Sequence, residues 1–143
     1  MTSDAGRLVD SFERLTAAVL RQRGAGRDPL PPTQRIALAA LAAEGPLRLR
    51  ALAERIGATD ATASRTVDAL AAAGLAERTA APGDRRGIVV TPTAAGKRRL
   101  AARRRQLAAV LDPALATLPE PDRERLVALL DDLAQTLGRR ASA

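Results

Sequence analysis

The sequence predicts a mainly α-helical protein that carries one small β-hairpin. Apolar residues recur at helical spacing in most of the segments between glycines and prolines, which is typical of amphipathic helices. Within the stretch 59–96, a helix with a short-polar leading end runs into Gly74, a residue type that commonly follows helix ends. Two short apolar segments then flank the turn-forming residues Pro82, Gly83 and Asp84, which indicates two paired strands.

Composition excludes several kinds of chemistry. The 143 residues include no cysteine and no histidine, so disulfides, thiolate metal sites and imidazole catalysis are excluded. No glycine-rich phosphate loop follows a strand, and the adjacent carboxylates of Asp131 and Asp132 would diverge on a helix. We therefore expect no enzyme activity, no metal site and no cofactor. Because no apolar run is long enough to span a membrane and no signal-peptide pattern opens the chain, we expect a soluble cytoplasmic protein.

The charge balance points toward an anionic partner. The net charge is +7, and all but one of the 23 basic residues are arginine. Codon bias in a GC-rich genome explains the choice of arginine over lysine, but it explains little of the positive balance. The planar guanidinium group suits phosphates and guanine edges, so this surplus supports nucleic-acid binding without proving it.

The N-terminal half predicts four helices. The first covers 4–23 and is followed by a Gly- and Pro-rich break at 24–32. Thr33 is expected to cap the second helix, which ends near Gly45, and the third covers 49–56. Thr59 is expected to cap the fourth, which ends at Gly74. The residues expected to face inward on the second helix are Ile36, Ala37, Ala40 and Leu41, and those on the fourth are Ala63, Val67, Leu70 and Ala71.

The C-terminal half predicts the hairpin and two further helices. Strands are expected at 75–79 and 87–91. Thr93 is expected to cap a fifth helix that runs to about Leu111, with Pro113 ending or kinking it, and a last helix begins near Pro121. The fifth helix has a basic outer face made of Lys97, Arg98, Arg99, Arg103, Arg104 and Arg105, for which a solvated surface is at least as plausible as phosphate contact.

This order of elements resembles the MarR family of winged helix-turn-helix transcriptional regulators. The most specific part is a wing pattern in which Asp84, Arg86, Thr93 and Gly96 match, whereas Pro92 replaces the pattern's leucine. The segments SRTVDAL (64–70) and LAERIG (52–57) resemble the family's recognition helix and the helix before it. The resemblance implies a single domain over 1–143, with a winged-helix lobe at about 30–96 and dimerisation helices at about 4–23 and 97–140.

The leading end of the fourth helix has the side chains that entry into a DNA major groove requires. Small or polar residues let the backbone approach the bases, and Thr59, Ala61, Thr62 and Ser64 meet that need. Arg65 can bond guanine O6 and N7 together. The alternative is that the hydroxyls only cap the helix and that Arg65 pairs with Asp68 in solvent.

Three residues at the wing tip and one before the third helix complete the predicted DNA-binding site. Arg85 and Arg86 are placed where a long cation can enter the minor groove. The resemblance implies that Asp84 pairs with Arg86 and positions it, although a plain solvated turn remains an alternative. Arg48 stands where a serine or threonine would normally cap the third helix, and with Arg50 it could contact backbone phosphate.

The leucines at 126, 130, 133 and 137 form a ladder that is too apolar to stay exposed in a monomer. The resemblance implies a homodimer that places two recognition helices about 34 Å apart on a pseudopalindrome in double-stranded DNA. It also implies a repressor that a small lipophilic acid can release, a ligand for which the residues themselves give no support. The alternative function is a winged-helix module that binds a protein partner without DNA.

Overall fold

The computed structural model confirms a mainly helical chain with a small antiparallel sheet. It describes residues 3–23 and 30–141, with the backbone alone for Arg85, Arg86 and Ala141. The predicted break at 24–32 therefore lies largely outside the described residues. The elements in order are α1 (Asp4–Gln22), α2 (Pro32–Glu44), β1 (Leu47–Arg48), α3 (Leu49–Ile56), α4 (Asp60–Ala72), β2 (Ala76–Ala81), β3 (Asp84–Pro92), α5 (Ala94–Leu115) and α6 (Glu120–Ala141).

The chain divides into two compact units. One contains α1 and the chain from Leu107 through α6, and the other contains α2 to β3 and the part of α5 that ends at Gln106. The second unit holds the apolar core, whose largest fully buried side chains are Leu38, Leu41, Leu52, Val67, Leu70 and Val90. These residues come from α2, α3, α4 and β3, so one core fixes the helices and the hairpin of this unit together.

The sheet has the strand order β1-β3-β2, with both pairings antiparallel. Arg78 on β2 lies opposite Val90 on β3, and the register is irregular between Ala80 and Ala81 near the turn. β1 was not predicted, because two residues are too few to show a period. Its pairing of Arg48 with Val89 places the start of α3 beside the hairpin.

The first turn of α5 is anchored on the end of α4. The Thr93 hydroxyl accepts from Gly96 N at 3.0 Å, which confirms the predicted cap, and donates to the Gly74 carbonyl at 2.7 Å. Thr93 N donates to the Leu75 carbonyl at 3.1 Å. A Cβ atom at Gly96 would lie 2.1 Å from the Leu75 oxygen, so only glycine fits there.

Two predictions about α2 are wrong. The helix begins at Pro32 after Pro31 and has no side-chain cap, so Thr33 lies inside the first turn. Proline is well suited to this position, because the amide it lacks would have had no helical partner. Ile36 is 51% exposed, whereas Leu38 is fully buried. A helix rich in alanine shows little contrast between its faces, and that hid the true orientation.

Pro113 does not end α5, which continues to Leu115. The helical bonding resumes directly after it, since Ala116 N donates to the Asp112 carbonyl at 2.9 Å. In the last turn the missing proline amide removes a single backbone hydrogen bond, which is not enough to stop the helix there.

Candidate nucleic-acid interface

The leading turn of α4 presents hydroxyl groups and one arginine. Thr59 is the N-cap, as predicted, and its side-chain oxygen accepts from Thr62 N at 3.2 Å. Thr59, Ala61 and Arg65 are exposed, while Thr62 and Ser64 are half-buried. All five predicted α4 residues therefore lie at or near one surface, with no bulky side chain among them except Arg65.

Arg65 donates to Thr62 and not to Asp68, which was its partner in the alternative interpretation. Its Nη2 lies 3.5 Å from the Thr62 hydroxyl. The Asp68 carboxylate that it was expected to meet in that alternative pairs with Arg78 instead. Arg65 thus remains on the surface with a weak hydrogen bond within its own helix, which a stronger acceptor could replace.

Arg78 is a residue that the sequence interpretation missed. It lies on β2 and forms an ion pair with Asp68. Its Nη1 and Nη2 also donate to the Ser64 hydroxyl at 3.4 and 3.5 Å. The available signal was weak: Ser64 and Asp68 are four residues apart on one helical face, and a cation follows in the next strand.

The wing is tied to the start of α3 at its tip. Arg48 Nη1 and Asp84 Oδ2 are 3.6 Å apart, with side chains 58% and 48% exposed. Such an exposed pair contributes about 0–1 kcal/mol to stability. Its main effect is to hold the wing tip beside the start of α3. Gly87 leaves room for this pair, because a Cβ atom at position 87 would lie 3.0 Å from Arg48 Nη1 and 3.0 Å from Asp84 Oδ2. The side chains of Arg85 and Arg86 lie outside the described residues, so the Asp84–Arg86 pair stays a prediction.

A groove connects these elements. It encloses about 270 Å³ and is lined by Arg48, Leu49, Arg50, Asp60, Gly87 and Ile88. The structure therefore brings Arg48 and Arg50 together with the first turn of α4 and the wing. The arrangement places Arg48, which is paired with Asp84, and Arg50 beside the start of the helix that carries Arg65.

The described part of the chain has neither a metal-binding cluster nor a helix suited to a membrane. Across residues 3–23 and 30–141, no cluster of three acidic side chains could hold a metal ion. The same residues include no helix that is both long enough and apolar enough to cross a bilayer.

The basic face predicted on α5 is largely exposed. Lys97, Arg98, Arg104 and Arg105 are exposed, and Arg99 and Arg103 are half-buried.

Comparison with known proteins decides the family. The model of the MarR family matches residues 28–87, which contain α2 to the middle of the wing. A probable transcriptional regulator from Pseudomonas aeruginosa is 30% identical to the chain, with a TM-score of 0.67 over 92% of this chain and 96% of that one. The chain belongs to the MarR family. It is accordingly a transcriptional regulator, from a family whose members are generally not enzymes.

Two further MarR-like structures share the fold. A MarR protein from Peptoclostridium difficile is 16% identical, with a TM-score of 0.73 over 99% of this chain and 92% of that one. BpsR from Bordetella bronchiseptica, whose DNA binding is regulated by 6-hydroxynicotinic acid, is 22% identical, with a TM-score of 0.68 over 92% of this chain and 99% of that one. No curated protein sequence matches the chain.

Proposed function

We propose that this MarR-family protein is a cytoplasmic homodimer that binds a pseudopalindromic DNA site and represses transcription by occluding a promoter. The observation that carries the proposal is the exposed face of α4. Thr59, Ala61, Thr62 and Arg65 lie at the leading end of α4, whose first residue, Asp60, lines the groove together with Arg48 and Arg50. One surface thus combines side chains suited to base edges with cations suited to phosphates.

The division of labour on this surface follows from side-chain chemistry. Arg65 would bond a guanine edge, and Ala61 would contact a thymine methyl group. Thr59, Thr62 and Ser64 would donate to phosphates or base edges from the first turns of α4. Arg48 would contact backbone phosphate beside the groove. Asp84 would orient the wing, and Arg85 and Arg86 would enter the minor groove.

The homodimer is supported by α6, a helix whose described residues all remain exposed within a single chain. Its leucines Leu126, Leu130, Leu133 and Leu137 are 40–60% exposed, and Phe12 on α1 is 67% exposed. A helix gains most of its stability from packing an apolar face, so a second copy of the same surface is the expected cover.

A small lipophilic acid is proposed as the effector, on the example of BpsR. The unit that contains α1 and the end of α5 has an apolar groove of about 590 Å³. Its lining includes Leu15, Val19, Val110 and Leu111. Among the described lining residues, only Gln22 is polar. An acid bound there would act by favouring a dimer geometry whose two α4 helices no longer match the groove spacing.

Selection of bound fragments from the genomic DNA of the source organism tests the proposal. Enriched fragments are footprinted at several salt concentrations, with and without 6-hydroxynicotinic acid as a probe. We expect a two-fold symmetric footprint whose affinity falls steeply with salt, because phosphate contacts release counterions. Binding that is weak and insensitive to salt would favour the protein-interaction module instead.

Arg65→Ala should weaken binding to the selected site more than binding to random DNA. Loss of a bidentate contact to guanine costs about 1–3 kcal/mol of discrimination at one base pair. Fluorescence anisotropy on both DNAs measures the difference. Arg139→Ala removes an equal charge from the last turn of α6 and is expected to leave the ratio unchanged. Equal losses on specific and random DNA would remove Arg65 from base recognition.

Arg86→Ala should lower the affinity for DNA and reduce the slope of log affinity against log salt. The expected reduction is about one for each protomer, because one released counterion accompanies each neutralised phosphate. Titrations between low and physiological salt provide the slope. If the slope stays at the wild-type value, the wing does not contact DNA through this residue.

A further inference from the structure

The hydroxyl of Ser64 is already engaged from within the protein. Two guanidinium nitrogens of Arg78 donate to its oxygen at 3.4 and 3.5 Å. Guanidinium has donors and no acceptor, so the serine oxygen must be the acceptor in both contacts. The Ser64 O–H donor takes part in neither contact, because both contacts use only its oxygen as an acceptor.

Arg78 is held in a way that keeps this arrangement in place. Its side chain is 27% exposed and forms the ion pair with Asp68, one turn after Ser64 on α4. Its backbone lies in the sheet opposite Val90, a fully buried residue. Thr62 is a useful contrast, since the arginine that donates to it is the exposed Arg65, at 3.5 Å.

We propose that Arg78 commits Ser64 to act as a hydrogen-bond donor toward DNA, which makes Ser64 a specificity-determining residue and Arg78 its positioning residue. The proposal rests on the proposed function. In the major groove a donor can pair with purine N7, guanine O6 or thymine O4, whereas cytosine presents only its N4 donor there. Ser64 therefore excludes cytosine at the base that it faces.

The arginine of this cluster is paired with a carboxylate, as Arg48 is with Asp84. Asp68 neutralises Arg78, so the pair adds no net charge to the DNA-binding surface. Removing both charges together, with Arg78→Met and Asp68→Asn, leaves the net charge unchanged. This paired variant should keep the wild-type salt slope while losing the selectivity that depends on Ser64.

The test is a double-mutant cycle on the selected DNA site. Purines across one half-site are replaced singly by their 7-deaza forms, guanines also by 2-aminopurine, which lacks O6, thymines by bases that lack O4, and phosphates by methylphosphonates. We expect one base position at which wild-type affinity falls about five-fold, the value of one ordinary hydrogen bond. The affinity of Ser64→Ala should not change when that base is replaced. Ser64→Thr, which keeps the hydroxyl, should lose affinity there as the wild type does.

The paired variant tells positioning from mere structural support. If Arg78 acts through Ser64, the paired variant is also insensitive at that base, and adding Ser64→Ala to it changes nothing further. If the paired variant and Ser64→Ala each lower the affinity for the selected DNA, and their fold-losses multiply when they are combined, the positioning role is overturned. A Ser64→Ala protein that stays as sensitive as the wild type, or a loss found only with methylphosphonate, would overturn base recognition by Ser64.

Failure of the proposed function is distinguishable from failure of this inference. If the wild-type protein does not prefer any selected fragment over random DNA, the proposed function fails. If the wild type discriminates but the cycle gives one of the contradicting outcomes, the function stands and the inference fails. Ser64→Ala removes one half-buried oxygen from a helix, so its folding does not limit the test.

Discussion

Replacing Leu130 and Leu133 together by glutamate should convert the protein to monomers. The two side chains are 54% and 40% exposed in a single chain and share one stripe of α6 with Leu126 and Leu137. Their proposed cover is the same surface of a second copy, into which four carboxylates per dimer cannot be buried without partners. Loss of the dimer also separates the two DNA-binding lobes, and affinity for the full site should fall about 100-fold or more.

Sedimentation velocity over a range of chain concentrations measures the outcome, and anisotropy with the selected DNA measures the affinity. Ala128→Glu is the matched control, because it adds a carboxylate to the opposite face of the same helix. It is expected to leave the dimer intact. A dimer that survives the double substitution would show that α6 does not form the interface, and dissociation by the control would show that the stripe has no special role.

Gly96→Ala should destabilise the protein more than any other single methyl addition to the described glycines. The new Cβ would lie 2.1 Å from the Leu75 carbonyl oxygen and 3.0 Å from Leu38 Cδ1, so backbone must move. Overpacking of this kind costs about 3 kcal/mol or more, which lowers the melting temperature by roughly 6–12 °C in a domain of this size. The displacement would also disturb the Thr93 hydrogen bonds that seat α5.

Thermal and urea unfolding at equal chain concentrations measure the effect. Gly138→Ala provides the comparison, since a Cβ there meets nothing within 4 Å in the single chain. Alanine is favoured over glycine inside a helix by about 1 kcal/mol, so this variant should be slightly more stable. A Gly96→Ala protein as stable as the wild type would mean that the close approach to Leu75 is relaxed at little cost.

The sequence predicted those parts of the fold that have strong local signals. Thr59 and Thr93 were found as caps because a hydroxyl before a helical pattern has a direct physical role, and both accept the expected amide. The orientation of α2 was predicted only in part, because Ala37 and Leu41 are buried but Ile36 is not. When most positions are alanine, only packing against other elements decides which face turns inward.

For the candidate site, the sequence indicated residues and the structure supplied their partners. The helical period placed Ser64 and Arg65 on the outer part of α4, as the structure shows. The link from Ser64 to Arg78 joins residues 14 positions apart, and the Arg48–Asp84 pair joins α3 to the wing. Such long-range pairs depend on strand register and the turn between the strands, which a single sequence does not determine.

The crowding around Gly87 couples substitutions at two positions of the wing, 81 and 87. A methyl group at position 87 would lie 2.9 Å from the Ala81 Cβ as well as 3.0 Å from the Arg48–Asp84 pair. The two charged side chains can swing aside, but the Ala81 methyl group cannot. A larger residue at position 87 therefore requires either a shift of the hairpin backbone or a smaller residue at position 81. Substitutions at these two positions are expected to depend on each other.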